Sequence, residues 1–142
     1  MALWLCKVEP DCYSYDDLVR DGSTSWDGVA NPVARKNLRA MKPGDRVLYY
    51  HTGKEKSVVG EMVVAAEPAT DPDGDDKNAV AVQMKPVRKF ATPVTLAQIK
   101  AEDGLADWDL VRLPRLSVMA VTAAQWKRVE ALAGGKGRSA KK

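Results

Sequence analysis

Apolar residues in this chain fall into short clusters divided by glycine, proline and acidic turns, and their spacing predicts a mixed α+β order. Leu3–Val8 is apolar and β-prone and stops at Pro10, which predicts a first strand. Ser14 sits where a helix N-cap belongs, with Asp16 and Asp17 in the favourable first turn, Leu18 and Val19 on the apolar side and Asp21-Gly22-Ser23 as the stop. Trp26-Asp27-Gly28 reads as a turn that presents an aromatic ring. Asn31-Pro32 opens a second helix, with asparagine as cap and proline at a position whose N–H has no helical partner. Val33, Leu38 and Met41 are expected to face inward, opposite Arg35, Lys36 and Arg39.

After the Met41–Asp45 turn, Arg46–His51 is apolar on both alternating faces, the pattern of a strand covered on both sides. Ser57–Ala66 predicts another strand, with Gly60 as a bulge or a point of close approach. Glu67–Asp76 holds five acidic residues, two prolines and no base, so it reads as a solvated loop. A long strand from Ala79 to about Ala91 is expected to bend at Pro86. Thr95-Leu96-Ala97-Gln98 and Thr122-Ala123-Ala124-Gln125 are both capping boxes, and each predicts a helix start. The second of these carries Trp126, Val129 and Leu132 at inward spacing and ends at Gly134, while Arg115–Val121 reads as the last strand. The expected fold is a mixed β-barrel of about five to six strands with short helices covering its ends.

Composition narrows the function classes. With 142 residues, 45% hydrophobic and 29% charged, the chain fits one soluble domain. No apolar run approaches the ~20 residues of a membrane helix. The start, Met1–Lys7, reads as the first strand rather than a signal peptide, so a cytoplasmic location and reduced Cys6 and Cys12 are expected. A single histidine, His51, leaves too few soft ligands for a zinc site, and no cofactor or metal is expected. The formal charge of +3 hides an asymmetry: residues 134–142 carry four cations and no acid, leaving 18 basic against 19 acidic residues in 1–133. We expect a globular domain over 1–133 and a disordered basic tail over 134–142, able to add nonspecific attraction to phosphates or serve only solubility.

Five segments carry the chemistry: Trp4–Asp11, Trp26–Asn31, Tyr49–Thr52, Val59-Gly60 and Arg115–Met119. Their identity, order and spacing resemble the EVE domain, a PUA-like family that includes the thymocyte nuclear protein group and is similar in fold to YTH and ASCH domains. The resemblance spans the chain up to Gly134. It implies a non-enzymatic module that recognises a modified base, modified cytosine first and adenine second, in DNA or RNA. The base is expected to swing out of its strand into an aromatic pocket between barrel and helices. Two departures from the family stand in this sequence: Val8 where many relatives have serine, and Ala30 and Pro32 where relatives often carry an arginine and an aromatic.

On the resemblance, Trp26 is expected to stack the base, a contact contributing ~1–3 kcal/mol; the plainer alternative is that it plugs the barrel end. Trp4 and Trp126 fit core positions, and Trp108 is left open. Asn31 has both an amide donor and acceptor for a base edge, and it is also an ordinary helix cap. Lys7 and Glu9 point the same way on an extended segment, suited to a phosphate and an exocyclic amine or simply to each other. Tyr49 and His51 share a strand face, and one of them is expected to form a second pocket wall. Arg115 and Ser117 share another, suited to a phosphate and a pocket hydrogen bond. Arg35, Lys36 and Arg39 offer a basic face beside the expected pocket, a route for a nucleic-acid backbone or simply a solvated helix face. No residue is assigned as catalytic, and a monomer is expected. Two alternatives remain: a hydrolase of modified nucleosides using Lys7, Glu9 and Thr52 or a Cys–His51 pair, and a regulatory domain binding a free nucleotide or metabolite.

Overall fold

In the computed structural model the described residues are 2–27, 29, 31–70, 79–102, 104–105, 107–113 and 115–133. The expectations for Gly28, Ala30, the acidic stretch from Asp71, the helix stop at Gly134 and the basic tail lie outside them. Strand β1 (Leu3–Val8) pairs in parallel with β3 (Arg46–His51), from Leu3↔Arg46 to Val8↔His51. A parallel pair needs a long crossover. Here it contains helix α1 (Tyr15–Asp21), strand β2 (Thr24–Trp26) and helix α2 (Pro32–Ala40). Strand β4 (Ser57–Val64) returns antiparallel to β3, and β5 (Ala69–Thr70) and β6 (Val80–Thr95) follow. Helices α3 (Leu96–Ala101) and α4 (Asp109–Arg112), strand β7 (Val118–Ala120) and helix α5 (Ala123–Leu132) complete the chain. The strands join in the order β2-β6-β4-β3-β1-β7, with β5 on β6, and the sheet curls into the half-barrel of the PUA-like architecture. No helix among the described residues is long and apolar enough to cross a membrane.

Local signals set most helix starts. Ser14 Oγ accepts from Asp17 N–H at 3.1 Å while the Asp17 carboxylate accepts from Ser14 N–H at 2.9 Å, a reciprocal cap. Asn31 Oδ1 accepts from Val33 and Ala34 N–H at 2.9 and 3.0 Å. Thr95 and Thr122 form the expected capping boxes with Gln98 and Gln125. α1 ends on Gly22, in the left-handed region at φ 79°.

The inward faces of α1 and α2 differ from expectation. α1 buries Tyr15 and Leu18, three residues apart, and Val19 rotates out to 54% exposure. α2 buries Ala34 and Leu38, with Met41 just beyond its end, and Val33 is 53% exposed. In each case the buried residues lie three or four apart on one stripe, and the neighbour turned by about 100° is displaced to solvent.

β3 is buried from Val47 through His51, as its two apolar faces require. β4 is shorter than expected and β6 longer, reaching Thr95. β6 bends beside Pro86: Met62 pairs with Pro86 and Glu61 with Arg88, which leaves Val87 as the extra residue of a bulge. At Gly60 the register shifts again, and a Cβ built there would lie 2.7 Å from Tyr15 Cε1 and 2.9 Å from the Arg88 carbonyl oxygen. Close approach is therefore the reason for glycine at this position. Only Val118–Ala120 of the expected last strand pairs with β1, so Arg115 and Ser117 precede the strand in irregular backbone.

Two polar devices brace the core. Asp45, 4% exposed, accepts from Ala2 N–H, Lys42 N–H and Trp4 Nε1–H, each at 3.0 Å, tying the start of β1 to the turn before β3. Burial would raise the Asp45 carboxyl, but these hydrogen bonds outweigh it and hold it below the usual value. Buried Glu61 accepts from Arg46 at 2.7 and 3.0 Å and from Arg88 at 3.3 Å, and Arg88 also pairs with Glu130 of α5. Arg46 lies 4.5 Å over the Trp126 ring, which fastens α5 to the sheet. Trp4, Trp108 and Trp126 are all buried in the core.

Candidate functional site

The unforeseen strand β2 places Trp26. It pairs antiparallel with β6, Trp26 opposite Val82, so the ring stands at a sheet edge and is 7% exposed, not displayed on an open turn. Behind it is an aromatic cluster with edge-to-face geometry. The Trp26 and Tyr49 centroids are 5.5 Å apart, Tyr15 and Tyr49 5.2 Å, and Tyr49 and His51 5.6 Å. Such packing fixes the tilt of the Trp26 ring.

A cavity of about 280 Å³ opens against Trp26. Val8, Val29 and Tyr13 give it apolar walls, and Lys7, Thr24, Ser25 and Asp27 supply polar groups. Lys7 Nζ lies 5.6 Å from the Tyr50 ring, and burial lowers the pKa of its ammonium group. The Tyr13 hydroxyl donates to Asp21 at 2.8 Å; burial, then this bond, raises its pKa. The cavity therefore combines flat apolar surface with donors and one carboxylate acceptor. Its volume falls just below the ~300–1,000 Å³ typical of pockets for drug-sized ligands.

Of the eight candidates, Lys7 and Trp26 meet in this cavity. Asn31 and Arg115 meet in a second recess, of about 480 Å³, with Val33, Arg112, Leu113 and Leu116. Tyr49 is wholly buried, its hydroxyl donating to the Tyr13 carbonyl at 2.6 Å, so it stands behind Trp26 and not at a cavity wall. Its pKa is pushed far up by burial.

His51 is likewise structural: Nε2 accepts from Tyr15 N–H at 3.0 Å, which leaves Nδ1–H to donate to Glu55 at 2.8 Å. Glu9 is exposed, its carbonyl accepting from Cys12 and Tyr13 N–H, and it lines neither cavity. Ser117 lines neither as well, but its carbonyl accepts from Lys7 N–H at 2.8 Å and so ties the Arg115 segment to β1. Arg39 lies away from both cavities, whereas Arg35 Nε holds the Val29 carbonyl at 2.6 Å.

Tyr13, Thr24, Ser25 and Asp27 were not foreseen. The only signal for Asp27 was its place beside Trp26; Thr24 and Ser25 come to the cavity on β2, and Tyr13 from the turn between β1 and α1, with no local pattern to announce them. The Cys6–His51 pairing is not poised for nucleophilic chemistry here, and Cys12 stands exposed. Cys6 is buried with its thiol pushed far up, and both nitrogens of His51 are engaged. Among the described residues no group of three or more His, Cys, Asp or Glu is placed to hold a metal ion.

The family model described as the EVE domain matches residues 2–132. A solved structure of a Rhodopseudomonas palustris protein is 41% identical, covers 94% of each chain and superposes with a TM-score of 0.89. The structure of human THYN1 protein in complex with DNA containing 5-methylcytosine is 27% identical, covers 96% of this chain and 99% of that one, and has a TM-score of 0.87. Among curated sequences, human thymocyte nuclear protein 1 is 37% identical over 87 residues, 53% of this chain and 39% of the relative, so the match spans well under half of that protein's length. A family match running from the first strand through α5, over the same half-barrel, leaves one assignment: this chain belongs to the EVE domain family.

Proposed function

We propose that this chain is a non-enzymatic reader that takes a modified base of DNA or RNA, modified cytosine first, into the cavity against Trp26. The observation that carries the reading is the cavity itself: a small, flat-walled recess whose aromatic wall is held by packing and whose rim carries both donors and an acceptor. A cytosine presents an exocyclic amine that donates and a ring carbonyl that accepts. Asp27, not Glu9, is the carboxylate positioned for the amine, and Lys7, Thr24 or Ser25 for the carbonyl. Val8 and Val29 give a methyl group at the ring edge an apolar contact. The human relative solved with 5-methylcytosine DNA, similar over nearly the whole chain, supports the same ligand class.

Binding without turnover is the expected behaviour, by a monomer in the cytoplasm. The engaged nitrogens of His51 and the buried Cys6 favour this over a hydrolase. The test is titration with matched short oligonucleotides carrying plain or modified cytosine or adenine, as DNA and as RNA, read by tryptophan fluorescence. The parent should prefer one modification, and Trp26→Ala should bind modified and plain strands equally. A Trp26→Ala variant that keeps the full preference sinks the pocket assignment, and release of ammonia or a carboxylic acid from a modified nucleoside sinks the reader.

A further inference from the structure

The second recess is a neighbour of the first. Val29 lines the Trp26 cavity and Asn31, two residues on, lines the recess. The segment on its far side is pinned to the same elements. Ser117 accepts from the backbone N–H of Lys7, whose side chain lines the first cavity, and Asn37 of α2 donates to the Val118 carbonyl at 2.8 Å. The two hollows are therefore held in fixed relation by β1 and α2.

The lining of the recess has a definite chemistry. Val33 and Leu113 are 53% and 45% exposed, two of the four large hydrophobic side chains open to solvent among the described residues. Around them stand Arg112 and Arg115, both exposed, and Asn31. Arg112 meets Asp109 only at 3.7 Å across an open surface. Asn31 has committed its oxygen to capping α2, so it has only its amide N–H groups to offer a ligand. The recess thus has an apolar floor and a rim whose polar side chains are donors, two of them cationic. An anion attached to a flat, weakly polar body matches it. A nucleotide is that combination, with its phosphate for the guanidiniums and its base or sugar for the floor.

We propose that this recess is the subsite for the nucleotide adjoining the modified base, its linking phosphate held by Arg112 and Arg115 and its nucleoside resting on Leu113 and Val33. The assignment rests on the reading of the Trp26 cavity, and it gives the reader a footprint on one side of the base only. It also explains why the exposed apolar pair carries a cationic rim.

The test measures three ligands by calorimetry: the modified nucleoside alone, and two dinucleotides extending it on the 5′ or the 3′ side. They are compared on the parent, Arg112→Ala/Arg115→Ala and Leu113→Asp, all at exposed positions. Extension on one side should tighten parent binding roughly tenfold, on the scale of one stacked base. Both variants should lose that gain and bind the bare nucleoside as the parent does. A gain that survives in both variants, or no gain from either side in a parent that binds the nucleoside, overturns the subsite alone. Survival in both would leave the recess free for a protein segment. A parent that binds no modified nucleoside overturns the Trp26 reading, and the subsite with it.

Discussion

Replacing Gly60 with alanine probes the packing that holds the aromatic wall. The new methyl would lie 2.7 and 2.9 Å from Tyr15 Cε1 and Cζ and 2.9 Å from the Arg88 carbonyl oxygen. Neither neighbour is free to withdraw. Tyr15 is wholly buried, its hydroxyl donates to the Glu61 carbonyl at 2.6 Å and its N–H to His51 at 3.0 Å. The Arg88 carbonyl belongs to the β4–β6 ladder, where Gly60 faces Lys89 and Glu61 faces Arg88. Overpacking of this kind costs about 1–3 kcal/mol. At roughly 2–4 °C per kcal/mol, Gly60→Ala should melt roughly 2–12 °C below the parent in a calorimetric scan. A ring pushed aside also moves Tyr49, and Trp26 after it, so preference for the modified base should fall. In the Tyr15→Leu background the alanine should cost less, a coupling of about 0.5 kcal/mol or more. A melting point within about 1 °C of the parent, or additive costs in the double variant, would refute the reasoning.

Asn31→Ala removes an oxygen that caps two N–H groups and should cost about 0.5–2 kcal/mol in urea unfolding, whereas Asn31→Asp should keep most of the stability; equal losses would show that capping is not its structural task. Glu61→Gln leaves Arg46 and Arg88 short of their shared carboxylate and should cost about 1–3 kcal/mol, below the value for a fully buried pair because both arginines are over a third exposed; an unchanged urea midpoint would contradict this. Asp45 has a lowered folded pKa, so its contribution is fully present above the ordinary carboxylate value of about 3.9 and is lost as pH falls through the folded value. The melting-point gap between the parent and Asp45→Asn should therefore narrow on going from neutral pH into that acid range; a gap that stays constant refutes the linkage.

How much of this was legible follows the range of each interaction. The caps at Ser14, Asn31, Thr95 and Thr122 were readable because donor and acceptor lie within three residues of each other. Double burial of β3 and close approach at Gly60 were also readable, from alternation and from a glycine inside a strand. β2 was not, because three residues carry no period. Without β2, the seat of Trp26 on β6 and against Tyr49 could not be foreseen. The same limit explains Tyr49 and Glu9: strand alternation gave their direction but not what stood in front of Tyr49 or how the chain turned after Val8. α4 is a single turn without a side-chain cap, and it carries Arg112 to a recess whose opposite side, Asn31 and Val33, lies roughly 80 positions earlier in the chain. Proximity of that kind is a product of topology, and no local pattern encodes it.

The central claim is that a modified base enters the cavity against Trp26. Its most direct test is a two-dimensional NMR titration of the labelled chain with 5-methyl-2′-deoxycytidine and with the unmethylated nucleoside. The account predicts saturable shifts confined to Lys7, Tyr13, Thr24, Ser25, Asp27 and the Trp26 indole, stronger for the methylated ligand. Shifts centred elsewhere, or equal responses to both nucleosides, would contradict it.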